Sequence, residues 1–177
     1  MSKSNWTRNF EKIVKPIFIV SAFLLLILWG LNQEARADHE YKVGTSVELG
    51  GTMLSGQYAK GQSLLLTERW DKYSIGVGYI TKQEVTDRSG TTYYPRENVF
   101  VHGMRHITIH DRVELGLGVG YFNDTNRALG SNFQFSLLAR YNLGERWTIN
   151  FRHFSNAGSQ RPNMGQDMLT VGYRLGQ

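Results

Sequence analysis

The 177-residue chain contains no cysteine, only three prolines, and no apolar run as long as the roughly 20 residues that a helix needs to cross a bilayer. Without cysteine there is neither a disulfide framework nor a thiolate metal site, so stability must come from another source. No P-loop, dinucleotide fingerprint or Cys/His zinc spacing occurs, and nothing implies a cofactor. The formal net charge of +5 is concentrated at the front. Five basic residues (Lys3, Arg8, Lys12, Lys15, Arg36) and two acidic ones (Glu11, Glu34) precede position 38, leaving 15 basic against 13 acidic residues in the remainder. A chain with so small an excess and no basic patch interleaved with aromatics has no expected nucleic-acid partner.

That front segment reads as an export signal. A basic n-region leads into the apolar stretch Ile17 to Leu31, and Ala35-Arg36-Ala37 meets the small-x-small rule for cleavage. Fifteen apolar residues are short for an uncleaved anchor. The expected organisation is residues 1–37 as signal peptide and 38–177 as one domain.

From Asp38 onward, apolar residues alternate with small or charged ones. The clearest case is Val113 to Tyr121, where Val113, Leu115, Leu117, Val119 and Tyr121 alternate with Glu114, Gly116, Gly118 and Gly120. Tyr41–Leu49, Tyr73–Tyr79, Phe133–Leu143, Trp147–Phe151 and Leu169–Leu175 repeat it. Ser63–Trp70 and Asn98–Ile109 are less clean, because Leu64, Leu65 and Leu66 blur the period in the first. Eight strands are expected, separated by turn-rich breaks such as Asn123-Asp124-Thr125-Asn126.

A soluble sandwich and a membrane barrel both suit alternation. Three features favour an all-β, eight-stranded antiparallel transmembrane barrel of the outer-membrane type. Its strands approach the roughly 9 to 11 residues needed to cross at a tilt. Aromatics (Tyr73, Tyr79, Tyr121, Phe133, Tyr141, Trp147, Tyr173) stand near strand ends on the apolar parity, as interfacial girdles do. The other parity carries Glu48, Glu114, Arg140, Arg152 and Arg174, too many charges for a small sandwich core unless they pair, whereas a narrow lumen lets them pair. Closure of the barrel also removes every strand edge.

The chemistry-bearing stretch is Arg152 to Asp167, RHFSNAGSQRPNMGQD. It holds the three parts of a nucleophilic hydrolase: a hydroxyl (Ser155), an imidazole (His153) and a carboxylate (Asp167). With both termini periplasmic, the seventh strand ends and the eighth begins at the cell exterior. His153 and Ser155 continue the lipid-facing parity of Trp147, Ile149 and Phe151, and Asp167 shares that of Leu169, Val171 and Tyr173. All three are expected to project outward at the outer rim. Polar groups facing hydrocarbon lose water and must find partners, so such placement is costly without a purpose. His102, His106 and His110 form no metal set, because successive members lie ~13 Å apart along a strand.

At these residues the chain resembles the lipid A 3-O-deacylase family (PagL). The motif is His153-Phe154-Ser155-Asn156-Ala157-Gly158 followed by Pro162-Asn163, with Phe154 where a tyrosine is more usual. The resemblance implies an eight-stranded barrel in the outer membrane of a Gram-negative bacterium, a membrane-embedded esterase that removes the acyl chain at the 3-position of lipid A in lipopolysaccharide. It implies Ser155 as nucleophile, His153 as general base and Asp167 in the place of the family's glutamate, one methylene shorter. Gln166 and Asn163 are the fallbacks for that acid. Asn156, Gly158 and Asn163 are the oxyanion or supporting candidates. The triad alone also suits a phospholipase. A non-enzymatic barrel of adhesin or structural type is the alternative, in which the long outer loops, such as Thr81 to Asn98, would carry the function.

Overall fold

A computed structural model describes residues 44–54, 56–86, 89–125, 129–160 and 164–175. The expected signal peptide and Tyr41 lie outside them. Eight strands close into an antiparallel barrel: β1 (Gly44–Leu54), β2 (Gln57–Trp70), β3 (Tyr73–Ile80), β6 (Asn98–His110), β7 (Val113–Phe122), β8 (Phe133–Asn142), β9 (Trp147–Ser155) and β10 (Gln166–Leu175). Their order round the wall is β1-β10-β9-β8-β7-β6-β3-β2. A separate small hairpin, β4 (Val85–Thr86) with β5 (Thr92–Tyr93), sits in the connection between β3 and β6. The sequence pattern predicts only a loop over Thr81 to Asn98.

Alternation fixes which side chain faces which way. The outward series is apolar and exposed: Ile75, Val77 and Tyr79 on β3, Val99 and Val101 on β6, Phe133 and Phe135 on β8, Trp147, Ile149 and Phe151 on β9. In water this would be an unstable surface; in hydrocarbon it is the favourable one. The inward series divides into two layers. Nearest the termini lies an ionic layer in which Arg69 donates to Glu114 (2.6 Å), Asn142 to Glu114 (3.1 Å) and Arg174 to Asn142 (2.5 Å). Above it, buried Glu48 accepts from Arg140 (3.1 Å), Arg152 (3.2 Å) and Thr170 (3.0 Å). Charges so deeply buried persist only when paired and hydrogen-bonded. The expectation that the inward charges pair across the lumen is met, with Arg69 added to the set.

The second inward layer, at the loop end, is apolar. Leu54, Ala59, Leu65, Ile80, Val85, Phe100, Phe122, Leu129, Phe154 and Met168 form one cluster. Phe100 and Phe122 stack at 4.8 Å, and Phe154 meets both edge-on at 5.1 Å. Glycine makes room for these rings: a Cβ on Gly120 would lie 2.7 Å from Phe154 Cε1. The cluster explains the blurred Leu64-Leu65-Leu66 run, since Leu65 points into the plug while its neighbours face out.

The register gives the tilt. Following hydrogen-bonded partners round the wall, Tyr58 pairs with Met53, then Asp167, His153, Leu137, Leu117, Arg105 and Tyr73, whose partner on β2 is Trp70. One circuit therefore advances from Tyr58 to Trp70 on the same strand, part of it through a bulge opposite Gly51 and Thr52. Twelve residues at ~3.3 Å, roughly 40 Å, over eight spacings of ~4.8 Å correspond to a tilt of about 45°. The circuit runs through the chemical residues, and it descends from the loop end on β2 toward the terminal end in the direction β1, β10, β9, β8, β7.

Candidate active site

The site is built on two neighbouring antiparallel strands. In the register of β9 and β10, His153 stands directly opposite Asp167. Both follow the outward parity of their strands, so the two side chains meet on the outer face, where His153 Nδ1 lies 2.5 Å from Asp167 Oδ1. The imidazole donates from Nδ1 to the carboxylate, and its Nε2 is left for a different partner. Asp167 is well covered for an outward residue (10% side-chain exposure), whereas His153 is more open (35%). The aspartate thus spans the gap to the imidazole despite its shorter side chain, because cross-strand pairing brings the two backbones close.

Ser155 continues the same face two residues beyond His153, ~6.6 Å along the strand. The residue between them, Phe154, is fully buried in the lumenal cluster. Locking it inward leaves His153 and Ser155 outward, since a strand cannot turn three successive side chains to one face. Arg152, also fully buried, repeats this lock on the other side of His153 through Glu48 and through Met104 Sδ (2.8 Å).

Beyond Ser155 the chain turns sharply. Ala157 (φ 53°) and Gly158 (φ 79°) both adopt positive φ, and Ser159 N–H donates to Asn156 C=O (3.0 Å). Two successive positive φ values closed by such a bond are the pattern of a primed turn. Alanine at the first of these positions pays a steric cost of about 1–2 kcal/mol, and side-chain bonds hold the turn against it. Asn156 Oδ1 accepts from Gly158 N–H (2.9 Å), and its Nδ2 donates to Gln160 C=O (2.9 Å). Ala157 N–H donates to Ser155 Oγ (3.1 Å), placing a backbone donor at the hydroxyl itself.

Of the residues expected at the site, His153, Ser155 and Asp167 are brought to one outer face. Asn156 is instead buried and, with Gly158, occupied in shaping the turn. Asn163 lies outside the described residues. Gln166, a fallback for the acid, points inward on the opposite parity and donates to Met53 C=O (3.1 Å), so it does not face the imidazole. Of the three histidines on β6, His102 and His106 are buried in the lumen and His110 is exposed. Among the described residues no group of histidine and carboxylate side chains is arranged to hold a metal ion.

One participant escaped the sequence reading. Gly165 has φ +71°, and a Cβ there would lie 2.9 Å from His153 Cε1, so the glycine backbone packs against the imidazole. Its signal in the sequence was only a glycine two residues before the acid.

Comparison with known proteins places this geometry. No curated protein sequence matches the chain. Among solved structures, the outer membrane enzyme PagL aligns at 23% identity with a TM-score of 0.42, over 75% of this chain and 99% of that one. The Ail protein of Yersinia pestis in a phospholipid bilayer nanodisc aligns at 14% identity with a TM-score of 0.45, over 76% of this chain and all of that one. Likeness at that level carries no argument about function. The sequence profile of the lipid A 3-O-deacylase (PagL) family is different in kind, matching residues 29–175. The protein is therefore a member of the lipid A 3-O-deacylase family, an esterase built as an outer-membrane β-barrel.

Proposed function

We propose that Ser155, His153 and Asp167 perform the family's reaction, hydrolysis of the ester-linked acyl chain at the 3-position of lipid A. The observation that carries this is the outward His153–Asp167 pair (2.5 Å) with Ser155 on the same face of the same strand. Ser155 Oγ attacks the ester carbonyl while His153 Nε2 takes its proton, and Asp167 stabilises the imidazolium through Nδ1–H. The imidazolium then protonates the departing sugar oxygen, leaving an acyl-serine. Water, deprotonated by the same imidazole, attacks the acyl-serine, and the imidazolium returns the proton to Ser155 Oγ as the fatty acid leaves. No cofactor enters these steps.

The charge that develops on the carbonyl oxygen needs donors. Ala157 N–H, already at Ser155 Oγ, is the nearest of the described residues, held by the turn that Asn156 and Gly158 shape. The Asn163 side chain is the second donor in this reading. A site that faces lipid takes its substrate from the outer leaflet without extracting it. Residues 1–37 serve as the cleaved export signal, with the loop end at the cell exterior.

Expression of the wild-type chain in a Gram-negative host should yield lipid A lacking its 3-O-acyl chain by mass spectrometry. Ser155→Ala should fold, shown by heat-modifiable migration, and leave lipid A intact. Deacylation at the wild-type level by Ser155→Ala would refute the assignment.

A further inference from the structure

The loop end of the barrel holds a cavity that Ser155, His153 and Asp167 do not line. It lies between the β3–β6 connection and the β7–β8 connection and has a volume of about 420 Å³. That is within the range of small-molecule sites, roughly 300–1,000 Å³, but such sites are mostly apolar. In this one the rings of Tyr93 and Tyr94 share the wall with the Arg96 guanidinium, the Asp124 carboxylate and the hydroxyls of Thr92 and Thr125.

Both walls are tied to the top of the barrel. On one side Thr86 and Thr92 join hydroxyls across the small hairpin (3.0 Å), and Val85 and Tyr93 belong to the lumenal apolar cluster and its rim. Gln83 N–H donates to Pro95 C=O (3.0 Å) in the same wall. On the other side Asn98 Nδ2 donates to Asp124 C=O (2.7 Å). Asn123 N–H donates to Val99 C=O, and Val99 N–H returns a bond to Asn123 Oδ1, both at 2.9 Å. A cavity anchored on both sides keeps its shape before a ligand arrives, which lowers the cost of binding.

The charges that face this cavity are not spent on one another. Among the described residues, neither the Arg96 guanidinium nor the Asp124 carboxylate makes an ion pair or a side-chain hydrogen bond. A guanidinium only donates and a carboxylate only accepts, whereas a hydroxyl does both. The pair therefore suits a ligand rich in hydroxyls. An anion would meet Arg96 but be opposed by Asp124, and an apolar ligand would leave both charges without water or partner. Tyr94, 66% exposed, adds an aromatic face for hydrocarbon. Hydroxyls round the edge and C–H groups on the face are the chemistry of a pyranose ring.

We propose that this cavity binds the saccharide of lipopolysaccharide, as a site separate from the one that cleaves the acyl chain. Lipopolysaccharide carries a sugar chain away from lipid A, and the cavity opens at the end of the barrel where Ser155 and His153 stand. β8, which follows Asp124 and Thr125 in the chain, pairs directly with β9. A sugar held there keeps the glycolipid beside the barrel and raises its effective concentration at the pair. That link to turnover rests on the assignment of Ser155 and His153; the binding itself does not.

Binding is tested first without turnover. Ser155→Ala, folded in detergent, is titrated in a calorimeter with the water-soluble core oligosaccharide released from lipopolysaccharide by mild acid. It should bind, and adding Tyr94→Ala or Arg96→Ala should weaken binding about tenfold, as loss of a charge-assisted hydrogen bond or a stacking face does. No binding, or unchanged affinity in both variants, overturns the proposal, and so does equal affinity for maltoheptaose, a plain glucose polymer. The same loop substitutions are then made in the chain that keeps Ser155. KM for lipopolysaccharide should rise about fivefold, with kcat unchanged and free lipid A hydrolysed as by wild type, the signature of lost uniform binding. Equal losses on both substrates would show that the loops act through the barrel, and would overturn the site. Hydrolysis surviving in Ser155→Ala would instead sink the catalytic assignment, and the calorimetric result would still decide whether the cavity takes sugar.

Discussion

The two faces of β9 differ more than any two separate regions of the molecule. Inward, Asn150, Arg152 and Phe154 are all but inaccessible, and their partners are supplied by strands around the lumen. Outward, His153 is one-third exposed and shares its hydrogen bond with the adjacent strand only. The period of two that separates these faces lets one strand carry a rigid scaffold on one side and the proposed reactive pair on the other. The outward pair is thereby held in place without being buried, because the inward residues keep it in register.

The largest expected effect breaks the outer face alone. His153→Ala should lower deacylation by a factor of about 10⁴ or more, and Asp167→Asn by a comparable amount because it alters the imidazole's tautomer and orientation. Both should leave the urea midpoint in detergent within experimental error of wild type. A destabilised His153→Ala variant would show that the outer face also supports the barrel.

Breaking the inner face should do the reverse. Glu48→Ala leaves buried Arg140 and Arg152 without the carboxylate they share. Removing one side of such a buried cluster costs about 3–5 kcal/mol. The urea midpoint should fall accordingly, while the folded fraction, isolated below the transition, retains most of its activity. Equal losses of stability and of activity per folded molecule would mean that the two faces are not separable.

Gly165→Ala sharpens the boundary between them. The positive φ costs a non-glycine residue about 1–2 kcal/mol, and the new methyl group meets His153 Cε1. Activity should fall about tenfold, as a small displacement of a catalytic group does, with kcat affected more than KM. An unchanged kcat would show that the imidazole does not depend on this contact.

How much of this was legible depended on the range of the interaction. Alternation is local, so the eight strands, the outward parity of His153, Ser155 and Asp167, and the inward charges could be read residue by residue. The same rule turns Gln166 inward, as the structure does. Leu65 blurred its strand because half of the lumen is apolar, which alternation alone does not announce. The partners of Glu48 lie 92, 104 and 122 residues away, and only barrel closure brings them together. The left-handed turn at Ala157 and the contact of Gly165 with the imidazole depend on backbone angles that residue type suggests for glycine but not for alanine.

The smallest expected effect concerns Phe154, the residue that joins the two faces and stands where the family more usually has tyrosine. Its ring fills a fully buried position against Phe100, Phe122 and Gly120, so a hydroxyl added at its tip enters the lumen rather than the membrane. A buried hydroxyl without a partner costs about 1–3 kcal/mol. Two groups could receive it: Ser136 is the cross-strand neighbour of Phe154, and among the described residues both Ser136 Oγ and Gln134 Oε1 are buried without a hydrogen bond. Phe154→Tyr should therefore cost less than about 1 kcal/mol and leave deacylation within twofold, read from the urea midpoint and initial rates. A larger loss of stability with activity intact would show that the hydroxyl finds no partner and that the aromatic cluster tolerates only hydrocarbon. A loss of activity without a loss of stability would mean that the inner ring shifts the outer pair, and that the separation of faces along β9 is narrower than one residue.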